Sequence, residues 1–168
     1  LHLRAMTESL KTAKAFFNNT PDLGEAIRKI IDENAGYKKE IEGFVQEKVA
    51  RLAEKISKEA KEINGVKIVQ FTQSVDPTMV KGMAGLLQKQ MENFVLAAAF
   101  EYAGKPNLVL MYSQDLVAKG KNAGKDVREA AKSILGGGGG QPGLATAGGK
   151  NVEGLRDALA RLVELATA

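Results

Sequence analysis

The sequence predicts an α+β protein: a long, coiled-coil-like helical stalk over residues 1–64, then a small α/β sandwich over 65–168. Three observations carry this. Apolar residues recur at helical spacing almost without interruption from Leu3 to Ile63. Beyond Asn64-Gly65 the pattern breaks into short β-branched and apolar runs separated by helical ones, the signature of helices packed on a sheet. At 44% hydrophobic and 26% charged residues, the chain can bury a core and is not of disordered composition.

The elements follow in order. Leu3, Met6, Leu10, Ala13 and Phe17 form one apolar stripe on a first helix. NNTPD (18–22) stops it, with Thr20 as the expected N-cap of the next helix and Pro21 at its first position. A second stripe runs through Leu23, Ile27, Ile30, Tyr37, Ile41, Val45, Val49, Leu52, Ile56 and Ile63. It predicts one helix of about 40 residues, roughly 60 Å long. Residues 1–17 are expected to fold back on its first half. The seam Val45, Val49, Leu52, Ile56 is left open to a second chain, to upstream sequence or to the globular part. Asn64-Gly65 reads as the C-cap of that helix.

VKIVQFT (66–72) reads as a strand, and residues 76–91 as a helix capped by Asp76 with Pro77 first. FVLAAAFEY (94–102) and NLVLMYS (107–113) read as a hairpin joined by AGKP (103–106). A short helical turn at 115–120, a helix at 123–135 and a last helix capped by Asn151 complete the order β-α-β-β-α-loop-α.

Composition excludes several chemistries. The sequence has no cysteine and a single histidine, His2, so it cannot build a zinc-thiolate site, a histidine metal cluster or a Ser-His-Asp triad. No apolar run approaches the roughly 20 residues of a membrane span, and no secretory signal opens the chain. A cytoplasmic protein is expected, and the start at Leu1 suggests an excerpt of a longer one. The net charge of +4 is unevenly placed. Residues 103–150 hold seven basic side chains (Lys105, Lys119, Lys121, Lys125, Arg128, Lys132, Lys150) against three acidic ones (Asp115, Asp126, Glu129). A clustered surplus of this kind is the footprint of a polyanion site, or else a solvated basic face.

Inside this basic region lies GGGGGQPGLATAGG (136–149). It does not meet the phosphate-loop pattern, because the nearest frame lacks the first glycine and ends on Asn151. It also follows a helix C-terminus, where the dipole repels phosphate. The GxGxxG match at Gly138, Gly140 and Gly143 has no strand before it. An unordered linker does not fit either: Gln141-Pro142 and a second Gly-Gly break the run. Glycine at this density suits a specific loop into which backbone or a ligand comes close.

The run resembles the signature of the C-terminal domain of alanyl-tRNA synthetases, of the DHHA1 type. Gly136, Gly137, Gly138, Gly139, Gly140, Gln141, Pro142, Ala145, Ala147, Gly148 and Gly149 occupy the signature's places in order. The preceding DLVAKGKNAGKDVREAAKSIL, the TPDL start of the stalk and its ENAGYKKEIE are similar to the same family. Gln141 departs from it, standing where many members have arginine. The DHHA1 domains of DHH phosphoesterases, the nearest rival, carry a histidine after the glycines, and this sequence has none there.

The resemblance implies a fragment that binds the outer corner of tRNA, tRNA-Ala in particular, and that contributes to a homodimer through the helical stalk. It implies the synthetase's remaining domains as further partners, and no membrane. It implies no catalysis, catalytic residue, metal or cofactor in the fragment, while the parent ligase would use ATP, Mg and an editing-site Zn. The expected nucleic-acid contacts are Lys119, Lys121, Lys125, Arg128, Lys132, Gln141 and Lys150, beside the glycine loop of residues 136–140, Pro142, Gly148 and Gly149. Tyr102 and Tyr112 are candidates for base stacking but are more readily explained by packing. Two alternatives stay open: a pure oligomerisation module without RNA affinity, and the substrate-binding domain of an oligonucleotide phosphoesterase.

Overall fold

The computed structural model describes residues 2–168 of the chain, with side chains from residue 3 onward. The chain divides into two compact units, Leu1–Phe44 and Val45–Ala168.

The first unit holds helix α1 (His2–Phe16) and the beginning of helix α2 (Leu23–Ser57). Asn18 and Asn19 both adopt left-handed backbone, φ 52° and 57°, and terminate α1. Asp22, rather than Thr20, caps α2: its Oδ1 accepts from the Glu25 N–H at 2.8 Å. Leu3, Met6 and Leu10 remain 80%, 60% and 50% exposed, so the expected fold-back does not bury the α1 stripe. None of the described side chains of this unit is buried.

In the second unit, the last turns of α2 carry Val49, Ala53 and Ile56 into a core. The helix stops at Ser57, short of the expected end. Residues Lys61–Ile63 form strand β1, which pairs antiparallel with β2 (Val66–Phe71). Asn64 and Gly65, at φ 51° and 79°, make the two-residue turn between them. A turn with both central residues at positive φ matches the twist of a hairpin, so Asn-Gly serves here as a hairpin turn and not as a helix cap.

Helix α3 (Pro77–Gln90) begins as expected, with the Asp76 side chain accepting from Thr78 N. Strands β3 (Phe94–Tyr102) and β4 (Lys105–Tyr112) form the long hairpin. Its turn is tighter than expected, with Ala103 and Gly104 at φ 50° and 74°. Helices α4 (Gln114–Ala118) and α5 (Ala123–Ala130) follow, and a 3-10 turn, Ala131–Ile134, extends α5. The glycine block then becomes strand β5 (Gly137–Gly140), paired with β6 (Leu144–Gly148). Helix α6 (Leu155–Thr167) closes the chain after another 3-10 turn, Val152–Gly154. Asn151 does not cap it; its side-chain N–H donates to Ser133 O.

The strands form one mixed sheet in the order β1-β2-β3-β4-β6-β5, with β2 and β3 parallel and the other pairs antiparallel. The period of two sorts side chains to its faces. Val95, Ala97, Ala99, Leu108, Leu110 and Tyr112 face a core shared with α5 and α6. Phe94, Leu96, Ala98, Phe100, Val109 and Met111 face a second core with α3 and the end of α2. This explains why FVLAAAF is apolar throughout: a central strand covered on both faces has no wet side.

The expected free seam is therefore largely occupied. Val49 and Ile56 are 6% and 2% exposed, and Leu52 packs against the same core. Burying such side chains is worth about 1.5–3 kcal/mol each, which is why they fold inward. Of the four, Val45 stays substantially exposed, at 42%.

Candidate nucleic-acid interface

The glycine block is a strand because its partner comes too close for side chains. A Cβ on Gly138 would collide with Thr146 O and with Ala147, whose Cα would lie 2.6 Å away. A Cβ on Gly136 would strike Gly148 O and lie 2.6 Å from the Gly149 Cα. Gly137, between them, has nothing within 4 Å of such a carbon and opens on a cleft. So alternate glycines play different parts: some let β6 approach, and one leaves space at the surface.

The tip of the β5–β6 hairpin is pinned to the fold. Gln141 N donates to Leu144 O, and Leu144 N to Gln141 O, at 2.9 and 3.2 Å. Pro142 O accepts from Ala123 N at the start of α5, and Gly143 O from Tyr112 N. Asn122 caps α5, its Oδ1 accepting from Lys125 N at 3.0 Å. The Tyr112 hydroxyl, inside the core, donates to Asp126 Oδ2 at 2.6 Å. Burial first, and then that carboxylate, push the Tyr112 phenol far above its ordinary pKa. Tyr112 is thus a strut between β4 and α5 and is closed to base stacking. Tyr102 is 39% exposed, with its hydroxyl 3.4 Å from Asp76 Oδ2.

The expected basic contacts separate into groups. Lys121 is engaged internally: its Nζ donates to Leu165 O and Ala168 O, both at 3.0 Å, at the end of α6. A cation suits a helix C-terminus, where unpaired carbonyls concentrate partial negative charge. Lys132 pairs with Glu129 at 2.6 Å. Arg128 donates from Nε to Gly138 O at 3.2 Å, so its guanidinium lies over β5. Lys119, at the end of α4, and Lys125, in the first turn of α5, are exposed. Gln141 is exposed at the hairpin tip.

Lys150 stands elsewhere, beside four of the expected loop glycines (Gly136, Gly137, Gly148 and Gly149) and with residues that sequence reasoning does not select as contacts, among them Lys81, Lys105 and Leu135. Two clefts meet at Asn107, Gly137 and Gly148. One, of about 420 Å³, is lined by Lys105, Pro106, Leu135 and Lys150 over a floor that includes Gly136 and Gly149. The other, of about 300 Å³, adds Pro77, Lys81 and Thr146. Neither lining contains a carboxylate, and Lys81, Lys105 and Lys150 form no ion pair among the described residues. By contrast, a third cleft, at β1 and β2, includes Glu59 in its lining. Lys81 lies on α3 and Lys105 starts β4, far apart in sequence, so only the folded sheet brings them to the glycines.

Leu135 has an unusual backbone. It ends the 3-10 turn at φ 50°, ψ 48°, and its side chain is 70% exposed. Left-handed backbone costs a non-glycine residue roughly 1–2 kcal/mol. Among the described residues, the others at such φ are four asparagines and Ala103.

Comparison with known proteins now decides the family. The DHHA1 domain family matches residues 64–168. The chain belongs to the DHHA1 family. Over 165 residues, 98% of its length, this DHHA1 chain is 50% identical to an alanine–tRNA ligase of Bacteroides fragilis, of which it covers 19%. It thus spans about a fifth of the length of the curated relatives it matches. Its fold is similar to the crystal structure of the C-Ala domain from Aquifex aeolicus alanyl-tRNA synthetase. The TM-score is 0.56 and the identity 26%, with 65% of this chain and 98% of that one covered. The fold is also shared, at 14% identity and TM-score 0.52, with the DHH domain of a member of a ribosomal-protein family; 88% of this chain and 35% of that one are covered.

The expected α+β fold, a long helix followed by a DHHA1-type sheet with helices on it, stands. No helix among the described residues is long and apolar enough to cross a membrane, and no cluster of His, Cys, Asp or Glu among them is arranged to hold a metal ion.

Proposed function

We propose that this DHHA1 domain is a tRNA-binding module of an alanine–tRNA ligase and that it binds RNA through the groove carrying Lys81, Lys105 and Lys150. The observation behind this is charge placement: three unpaired lysines around a carboxylate-free glycine floor, in a family whose relatives include alanine–tRNA ligases. Phosphates supply most of the affinity in such contacts, and RNA helices are read by shape, phosphate and 2′-hydroxyl. Lys119 and Lys125 extend the basic surface on the α4–α5 side. In this reading, tRNA-Ala is the ligand within the whole enzyme, and the remaining domains supply identity, aminoacylation and editing in the cytoplasm. ATP, Mg and the editing Zn belong to those domains.

The apolar face of the first unit supports a second role, assembly. Ile27, Ile31, Tyr37, Ile41 and Phe44 are 42–63% exposed on α2. A stripe of this size is unusual on a solvated helix and fits a helix of a second copy in a homodimer.

The test is a salt series of tRNA binding. If about three phosphates are neutralised, log K should fall against log salt with a slope of roughly −2 to −3. Charge reversal at Lys81, Lys105 and Lys150 together should flatten the slope, while reversal at Lys132 leaves it unchanged. Absence of salt-sensitive binding would refute the RNA reading, and a monomer at all concentrations in sedimentation would refute the assembly reading.

A further inference from the structure

We infer that Leu135 and the glycine floor beside it form a seat for the face of an unstacked nucleobase, so that the groove reads exposed bases as well as backbone charge. The inference rests on the RNA reading above and adds the part of the ligand that this site takes.

Leu135 is held where glycine would sit without strain, directly before five glycines. Its side chain gains little in return from the fold, because it is mostly exposed. A strained backbone that presents an apolar side chain to solvent, at the rim of a cleft, points to contact with a ligand. The chemistry of that ligand follows from the rest of the lining. Gly137 and Gly148 leave open space where a Cβ would stand, and the close approach of Gly136 and Gly149 to neighbouring backbone keeps the floor between them free of side chains, a surface suited to a flat ring. Lys105 and Lys150 flank this surface with positive charge, and no acidic side chain opposes them. A flat apolar ring joined to a chain of anions is a nucleotide in an RNA strand.

The interior of an RNA duplex offers no base face, because every ring is stacked. The site therefore takes a base at a loop, a bulge or the end of a stack, where proteins commonly contact splayed bases. Aliphatic wedges against base faces are a known means of doing so. Charge complementarity favours RNA over a protein partner here, since Lys105 and Lys150 stand in the same lining as Leu135 and no carboxylate does.

The test compares a labelled hexamer of adenosine with an abasic strand of equal length and charge, using the 168-residue chain. The wild-type protein should prefer the base-bearing strand by roughly tenfold, the scale of one stacked base. Leu135→Gly should reduce that preference to less than twofold and leave the salt slope unchanged, and it should melt no lower than wild type, which shows that it folds. Lys105→Glu with Lys150→Glu should weaken both strands alike. Equal binding of the two strands by wild type, or a preference that survives Leu135→Gly, would overturn the inference while the salt-sensitive RNA reading stands. Absence of binding to either strand and to tRNA would overturn both. If Leu135→Gly binds RNA as wild type does but loses affinity for the other domains of the ligase, the residue docks protein and the inference is overturned.

Discussion

Gly138 and Gly137 are neighbours in one strand, yet the structure assigns them opposite tolerance for a methyl group. At Gly138, a Cβ would lie 2.6 Å from the Ala147 Cα and closer still to Thr146 O. Ordinary carbon contacts are about 3.5–4.0 Å, so the deficit is near 1 Å and falls on backbone, which has no rotamer to yield. Overpacking of this kind costs typically 1–3 kcal/mol, and a backbone collision belongs at the upper end. Gly138→Ala should therefore lose about 2–3 kcal/mol. At roughly 2–4 °C per kcal/mol for a chain of this size, the melting midpoint should fall by about 4–12 °C. Gly137→Ala meets nothing within 4 Å and has no positive φ, so its midpoint should stay within about 2 °C or rise, since alanine restricts the unfolded chain. Its methyl enters the groove instead, and tRNA affinity should fall several-fold. Thermal melts by circular dichroism with parallel binding curves separate the two. If Gly138→Ala melts with wild type, or if both variants fall equally, the close-approach account of the block is wrong.

Other outcomes follow from single contacts. Tyr112→Phe removes the hydroxyl that donates to Asp126 and should cost about 1–3 kcal/mol in urea unfolding, as expected when a part-buried carboxylate loses its donor. Asp115 is held below its ordinary pKa, by the Ser113 hydroxyl first and also by the Asn93 N–H. A carboxyl whose pKa is depressed in the folded state adds stability above its unfolded pKa of about 3.9 and loses it as pH falls through the lower folded value. Asp115→Asn should thus destabilise the protein at pH 7 and approach the wild type below that window in acid titration. Ile31→Asp with Ile41→Asp should shift sedimentation toward monomer and leave the melting of the DHHA1 domain unchanged, because neither side chain is buried.

Much of the fold is readable from local chemistry. Asp76-Pro77 announces α3, and the fully apolar run 94–100 announces a strand with two covered faces. Errors arise where one signal serves two structures. Asn64-Gly65 suits a helix C-cap and a hairpin turn equally, and the short β1 decides in favour of the latter. Val49 and Ile56 keep perfect helical spacing, but spacing does not say which surface covers them. The glycine block carries no side-chain alternation, so no period-two signal reveals β5. At the site, charge counting leads to the stretch that holds Lys150 and the glycine floor, but it ranks Lys121 and Lys132 with the free lysines. Their partners, the α6 carbonyls and Glu129, are matters of three-dimensional placement. Lys81 lies beyond its reach because α3 meets the glycines only through the sheet.

The terminal strand of the sheet is built entirely from glycine and has no side chains with which to guard itself. Among the described residues no further strand pairs with its outer edge, and a bare backbone edge is a template for another molecule's strand. Arg128 supplies the missing guard from an adjacent helix, laying a bulky cation over Gly138 and Gly139. The guard on this edge is thus carried by a residue outside the strand it covers. Neutralising that arginine should uncover the seam, and light scattering of concentrated Arg128→Gln against wild type should then show increased self-association.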